Sequence, residues 1–308
     1  MNQLDNTENS IADTDETMVT SRRQIGKLTQ LLSFIPYVGG SKPVVAVLRL
    51  SGIIGKSGNL KTGLNLENLN ELIEKAFEIK KLEALCLIIN SPGGSPVQSE
   101  LIAKRIRFLA KKNKVPVYSF VEDMAASGGY WLACAGDIIY ASKSSIIGSI
   151  GVIYSGFGFQ EAIAKLGIER RVYTEGTNKS ILDSFQPVKP NDIKIIKHLQ
   201  SHIHEHFINY VKERRAGKLT QSDEFLFNGD FWCGQAALDF GLIDGIEDIY
   251  SFLQKEYGDD VKIEYISTKQ SWFKKKFGLF NENLPKELAD NIINSVENKL
   301  IQNKFNLN

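Results

Sequence analysis

The sequence predicts an α/β protein with a mainly parallel sheet. Short apolar runs rich in valine and isoleucine alternate with segments of helical periodicity, and glycine turns follow two of these runs. Strand, glycine turn and helix in that order are typical of βαβ units, whose strands pair in parallel. The 308 residues are 43% hydrophobic and 24% charged, an ordinary globular composition with enough length for a large buried core.

The first half of the chain has the most regular pattern. Continuous apolar runs predict three strands, at 43–50, 84–90 and 115–121. Apolar residues at helical spacing predict the intervening helices, at 66–77 and from about 96 to 111, and a short helix follows the turn at 125–129. These elements form the predicted βαβ units.

The second half predicts fewer strands and one long helix. The segment 146–153 is apolar and contains glycines, a short strand is expected at 170–174, and the segment 175–189 is expected to be irregular. A helix is expected from 190 to 216, because a proline and an acidic residue in its first turn favour a helix start. A small helix and turn are predicted at 232–244, and a polar helix at 285–304.

Charge and cysteine content exclude several classes of protein. Lys and Arg number 37 against 36 Asp and Glu, so a net charge of +1 provides no field that would attract nucleic acid. The three cysteines are too few and too scattered for a disulfide framework, and no Cys/His spacing indicates a zinc site. We therefore expect no nucleic-acid partner, no metal and no cofactor.

The two ends of the chain differ from its middle. Residues 1–22 are predicted to be a disordered acidic tail, 23–42 a candidate interfacial segment, 43–246 the folded domain and 247–308 a C-terminal extension. A signal peptide needs a basic start and an apolar run, which the acidic beginning lacks, and no transmembrane helix is predicted. The segment 272–280 is basic and aromatic, and it either docks on an anionic membrane or folds back as a solvated tail. The expected location is cytoplasmic or peripheral to a membrane.

The chemistry is expected at two glycine turns that follow buried strands. Ser127 is flanked by small residues and opens a helix, and the turn at 91–94 follows a neighbouring strand. Ligand sites of α/β sheets lie beyond the carboxyl ends of the strands, where both turns are expected. Such an arrangement suits a nucleophile with backbone N–H groups aimed at an oxyanion. Each motif alone is also compatible with an ordinary tight turn.

All four histidines lie on the predicted long helix. His198, His202 and His206 recur at a spacing that allows a metal site, but they lie off or at the edge of the expected apolar face, which favours solvated side chains. The expected apolar face consists of Ile196, Leu199, Ile203, Phe207 and Tyr210. Because no histidine lies near Ser127 in the sequence, a lysine is the natural general base, as in Ser–Lys variants of the catalytic triad.

Four blocks, at 88–95, 125–131, 147–152 and 176–179, resemble in order the signatures of the signal peptide peptidase A family. The resemblance extends from about Val44 to Asp244. Members of this family are Ser–Lys serine proteases with a Clp/crotonase-like spiral of repeated β-β-α units. The resemblance therefore implies a single-repeat protease domain over 43–246, with a helical C-terminal appendage.

The family pattern assigns roles to individual residues. It implies that Ser127 is the nucleophile and Lys179 the general base, with Ser149 orienting the lysine amine. The backbone N–H groups of Gly94 and Gly128 match the oxyanion hole. In single-repeat members the lysine reaches a neighbouring subunit, so the resemblance also implies a ring-like homo-oligomer acting on peptides, such as released signal peptides.

Two alternatives stay open at this stage. An acyl-CoA hydratase or isomerase of the same fold would need a carboxylate near Ser127, for which Glu122 is the candidate. A non-catalytic membrane-associated scaffold would keep the Ser127 and Lys179 pair without forming an acyl-enzyme. Tyr130 and Trp131 are expected either in the core or along a substrate cleft.

Overall fold

The computed structural model describes residues 42–55 and 63–267. The chain divides into two units, 1–42 and 43–308, and every element described below lies in the second. The predictions for the acidic tail, the interfacial segment, the 272–280 segment and the 285–304 helix fall outside the described residues.

The described residues form strands and helices in alternation. The strands are β1 Val44–Ser51, β2 Leu82–Ser91, β3 Val117–Ala126, β4 Ile138–Ala141, β5 Ile146–Gly148, β6 Phe231–Cys233, β7 Gly245–Ile246 and β8 Lys262–Ile266. The helices are α1 Leu66–Phe77, α2 Pro96–Asn113, α3 Gly128–Ala133, α4 Gln160–Lys165, α5 Pro190–Arg214, α6 Asp223–Leu226, α7 Gly234–Asp239 and α8 Ile249–Tyr257.

A single sheet joins the strands in the order β6-β5-β3-β2-β1-β8. All of these pairs are parallel except β5 with β6. The sheet forks at β3, whose first half pairs with β4 and whose last residues, Met124–Ala126, pair with β5. The predicted α/β class with a mainly parallel sheet is confirmed.

Both faces of the sheet are covered, which explains the continuous apolar runs of its central strands. Alternate residues of β1, such as Ala46 and Leu48, pack with α1, α2, α3 and α5 in the larger core. Val45 and Val47 face the other way and join Phe252 of α8 in a smaller core. Since β8 pairs with β1, the sheet includes a strand from beyond residue 246.

Local chemistry fixes the helix ends that matter for the site. The side chain of Ser95 accepts a hydrogen bond from the Gln98 N–H and Pro96 follows in the first turn, so α2 begins directly after the 91–94 turn. At its other end, Lys114 takes a left-handed conformation with φ 56° and terminates the helix.

The short helix α3 is entirely buried and docks α5 onto the sheet. Trp131 stacks on Phe207 and Tyr210 of α5, with ring centroids 4.7 and 5.2 Å away. Tyr130 donates a hydrogen bond of 2.7 Å to the Leu242 carbonyl, and burial raises the pKa of its phenol. Both aromatic residues therefore belong to the core, and neither lines the cleft described below.

One prediction about secondary structure is wrong. Residues 170–174 form no strand, because no strand among the described residues pairs with them and Tyr173 is 91% exposed. In the apolar segment 146–153 only Ile146–Gly148 forms a strand, since φ is 117° at Gly148 and the chain turns away from β3 there. The predicted helix and turn at 232–244 begin with β6 and continue as α7.

A buried ion pair ties the end of α5 to the sheet. The guanidinium of Arg215, only 1% exposed, donates to Asp244 at 2.6 Å and to the Gly241 carbonyl. Burial alone would raise the pKa of Asp244, but hydrogen bonds from Arg215 and Lys218 outweigh it and hold that pKa below its usual value. Asp244 also accepts the backbone N–H of Ile139 in β4.

We expect Asp244→Asn to lower the free energy of unfolding by about 3 kcal/mol at pH 7, because it leaves a buried guanidinium without its counter-charge. The folded-state pKa of Asp244 lies below its unfolded value, so this stabilisation is complete above about pH 4 and is lost at lower pH. Urea titrations at several pH values measure the difference. The exposed Asp223→Asn is the control, and an equal loss there would contradict the assignment.

Candidate active site

Ser127 occupies a strained turn between β3 and α3. Its backbone has φ 53° and ψ −123°, a conformation that side-chain-bearing residues rarely adopt. The turn is fixed because the Ser127 N–H donates to the Gly148 carbonyl at 2.8 Å, while the Ser127 carbonyl accepts from Tyr130. Although Ser127 is the N-cap of α3, its side chain makes no cap hydrogen bond, which leaves the hydroxyl available. Serine nucleophiles of α/β enzymes occupy strand-to-helix turns of this kind.

Gly93 and Gly94 come into contact with the Ser127 turn. A Cβ on Gly93 would lie 2.8 Å from the Ser127 Cβ, and one on Gly128 would lie 3.4 Å from the Gly94 nitrogen. The two turns can meet this closely because Gly93 has no side chain at the contact. The structure thus brings Ser127 close to Gly94 and Gly128, the two residues that the family resemblance assigns to the oxyanion hole.

The N–H groups of Gly94 and Gly128 are placed to serve as donors. Gly128 is the first residue of α3, and N–H groups in the first turn of a helix have no intrahelical acceptor. At the other turn, the bridge to Ile54 uses the Gly93 carbonyl and the Ser95 N–H, so its hydrogen bonds do not engage the Gly94 N–H. Two adjacent backbone donors beside a serine hydroxyl are the elements of an oxyanion hole.

A cleft of about 580 Å³ opens over these turns. Its lining includes Ser127, Gly94, Ser149 and His204, together with apolar side chains such as Ile153. Ser149 has φ 52°, and its N–H donates to the Asp230 carbonyl at 2.6 Å. The strained backbone of Ser149 therefore places the predicted lysine-orienting serine in the same cleft as the predicted nucleophile.

Lys179 is not part of this cleft. It lies in a turn where its N–H donates to the Gly176 carbonyl at 3.1 Å, and its side chain is exposed. The segment that carries it, residues 152–189, contains no buried residue. We call this segment the arm. Within one chain the structure therefore assembles four of the five predicted site residues and leaves out the lysine.

His204 is the site residue that the sequence analysis missed. Its Nε2 lies 3.0 Å from the Ile150 carbonyl oxygen, and its ring is half-buried against the cleft. The other three histidines are exposed, as expected. His204 lies on the helix face of Phe207 and Val211, which are buried, whereas Leu199 of the predicted face is 53% exposed. A periodicity read from Phe207, Ile208 and Val211 would have found it.

The other predicted chemistries have less support. Glu122, the carboxylate that a hydratase would need, accepts hydrogen bonds from the two terminal guanidinium nitrogens of Arg49 and does not line the cleft. Across the described ranges, no group of three or more potential ligands is arranged to hold a metal ion. Within those same ranges, no helix has the length and apolar character needed to span a bilayer.

Comparisons with known proteins place this geometry in a family. The family model described as Peptidase family S49 matches residues 109–259. The chain is 31% identical over 236 residues to a putative signal peptide peptidase SppA of Enterococcus faecium, covering 74% of this chain and 68% of that relative. The chain belongs to peptidase family S49. The resemblance to the signal peptide peptidase A family is thereby confirmed.

Other relatives of this S49 member are much longer than the match. The chain is 51% identical over 242 residues to a protein of Brucella melitensis named Na(+)/H(+) antiporter NhaA, covering 78% of this chain and 32% of that protein. It thus spans about a third of the length of that relative. Among solved structures, the chain is similar to a membrane-bound stomatin-specific protease, with a TM-score of 0.49 and 21% identity over 77% of this chain and 97% of the other.

We expect Gly94→Ala to lower the free energy of unfolding by about 2–3 kcal/mol, because its Cβ would lie 2.1 Å from the Ile54 carbonyl oxygen. Gly52 also has a positive φ, but a Cβ there meets nothing within 4 Å. Gly52→Ala should therefore cost only about 1 kcal/mol of backbone strain. Denaturant titration of both variants separates the collision from the strain, and equal losses would refute the close packing.

Proposed function

We propose that this chain is a serine endopeptidase that uses a Ser–Lys dyad and cleaves short or unfolded apolar peptides, such as released signal peptides. The observation that carries the proposal is the Ser127 turn, whose free hydroxyl lies beside two backbone donors in a cleft. Membership of family S49 supports the reaction class, and the name of the Enterococcus relative, a putative signal peptide peptidase, supports the substrate class.

The reaction is acyl transfer through Ser127. The Ser127 Oγ attacks the scissile carbonyl while the neutral amine of Lys179 takes its proton, and the carbonyl oxygen becomes an oxyanion. The Gly94 and Gly128 N–H groups stabilise that charge, each by about 3 kcal/mol. The protonated lysine returns the proton to the leaving amine as the peptide bond breaks. A water activated by the lysine then hydrolyses the acyl-enzyme and frees Ser127.

The lysine is supplied by a second copy of the chain in this proposal. Lys179 lies on the arm, outside its own cleft, and the arm exposes large apolar side chains that a solitary chain would leave in water. Among them, Phe157 is 80% and Ile153 74% exposed. Exposed apolar surface of this extent marks an interaction site. A head-to-tail ring, in which each arm covers the next cleft, would bury it and complete every site.

The side chain of Asp192 helps to fix the conformation of the arm. The buried carboxylate of this α5 residue accepts the Leu182 N–H at 3.1 Å, and Leu182 itself has φ 56°. A second link joins Asp183 to Arg170 at 2.9 Å, and the Arg170 guanidinium lies over the ring of Phe185. An arm braced in this way presents its apolar residues and Lys179 as one surface.

A non-catalytic scaffold at a membrane is the second candidate function. The exposed apolar arm favours it, because such a surface also suits a structural partner. Peripheral membrane contact through the 272–280 segment and a cytoplasmic or membrane-peripheral location stay predictions. The scaffold is distinguished from the peptidase by the reactivity of Ser127.

Labelling with a fluorophosphonate probe tests the nucleophile. We expect wild-type protein to be labelled and Ser127→Ala to lose both labelling and peptidase activity, the latter by three or more orders of magnitude. Ser144→Ala removes an exposed hydroxyl and is the matched control. Labelling that persists in Ser127→Ala would overturn the assignment, and an unlabelled wild type would favour the scaffold.

Mixing two inactive variants tests the shared site. Ser127→Ala and Lys179→Ala are each expected to be inactive alone. If serine and lysine come from adjacent copies, random reassembly of an equal mixture should restore about a quarter of wild-type activity. The control mixture pairs Lys179→Ala with the double variant, which has no lysine to supply. Equal, negligible activity in both mixtures would show that the dyad is not shared.

A further inference from the structure

We propose that His204 is a positioning residue that holds Ser149 in place for the Ser–Lys dyad, an inference that rests on the proposed function. His204 contacts the segment 148–151, which carries Ser149 through the cleft wall. It is the one histidine of α5 whose ring lines that cleft among the described residues.

The segment needs an external support because its backbone is strained. Gly148 and Ser149 both have positive φ, at 117° and 52°, and for a serine this conformation is costly. Two hydrogen bonds hold Ser149 through its own backbone: its N–H donates to Asp230, and its carbonyl accepts the Gly151 N–H at 2.9 Å. The His204 bond to the Ile150 carbonyl is the support that comes from α5.

The nature of the acceptor decides what His204 does. A carbonyl oxygen only accepts, so the Nε2 of His204 carries the hydrogen in this contact. The same nitrogen cannot take a proton from Ser127 while it donates to Ile150. His204 therefore acts through Ser149, and the presence of a histidine in the cleft is compatible with Lys179 as the base.

The packing of α5 makes this support rigid. Phe207 lies one turn after His204 and stacks on Trp131 of α3, the helix that begins at the Ser127 turn. The ring of His206 also contacts Trp131, with centroids 5.3 Å apart, and its Nε2 lies 3.3 Å from Glu100 of α2. The position of His204 is thus fixed relative to the nucleophile by contacts with α3 and α2.

Substitution at position 204 tests the role of the donor. His204→Leu removes the hydrogen bond, and we expect kcat for a peptide to fall about 5- to 20-fold with KM within a factor of about two. His204→Gln keeps an amide donor at a similar reach and should recover most of the lost kcat. His202→Leu, at an exposed position of the same helix, is the matched control and should behave as wild type.

The outcomes separate this inference from the proposed function. Suppose that the probe labels the wild type and not Ser127→Ala, but that His204→Leu keeps the wild-type kcat. That result would leave the proposed function intact and overturn the role of His204. A glutamine variant as slow as the leucine variant would also overturn it, since a donor would then not be what is needed. Should His204→Leu fail to fold, His204→Asn replaces it, because its shorter amide cannot reach Ile150 and should lower kcat. A wild type without labelling would instead count against the proposed function.

Discussion

The candidate site depends on one steric constraint, the contact between two glycine turns at the carboxyl ends of β2 and β3. Parallel pairing aligns these strand ends, and the forked end of β3 lets β5 support Ser127 through the Gly148 carbonyl. A Cβ on Gly93 would lie 2.8 Å from the Ser127 Cβ and from the Gly128 nitrogen, so a larger residue there would force the two turns apart. Strand pairing brings the turns together, and the strained serine and the backbone donors lie at their contact.

The core and the arm contribute different parts of the candidate site. The doubly covered sheet, with Arg215 and Asp244 locking the end of α5, provides the rigidity that a strained turn requires. No residue of the arm is fully buried, and the arm carries the remaining predicted residue of the dyad. If Ser127 is the nucleophile and Lys179 the base, as proposed, their separation between rigid elements and the arm explains why a single chain shows a nearly complete site.

Local signals in the sequence were sufficient for the first half of the fold. The apolar runs and the caps of α2 are encoded within a few residues, and the two glycine turns were expected at neighbouring strand ends, where the structure has them. Long-range contacts were not accessible in this way. The position of β8 depends on pairing with β1, and that of His204 depends on how α5 rotates when Phe207 stacks on Trp131. Residues 170–174 had strand propensity, but no strand in the part of the chain that the structure describes pairs with them, so propensity alone was misleading.

Because the arm carries Lys179 away from its own cleft, catalytic activity would also depend on the concentration of the chain. Under the proposed assembly, a newly made chain at low concentration has a nucleophile without a base, and it gains a competent site when it meets other copies. The total peptidase activity would then rise more steeply than in proportion to the protein concentration. A low concentration of the chain would then prevent premature proteolysis, as a removable propeptide does in other proteases.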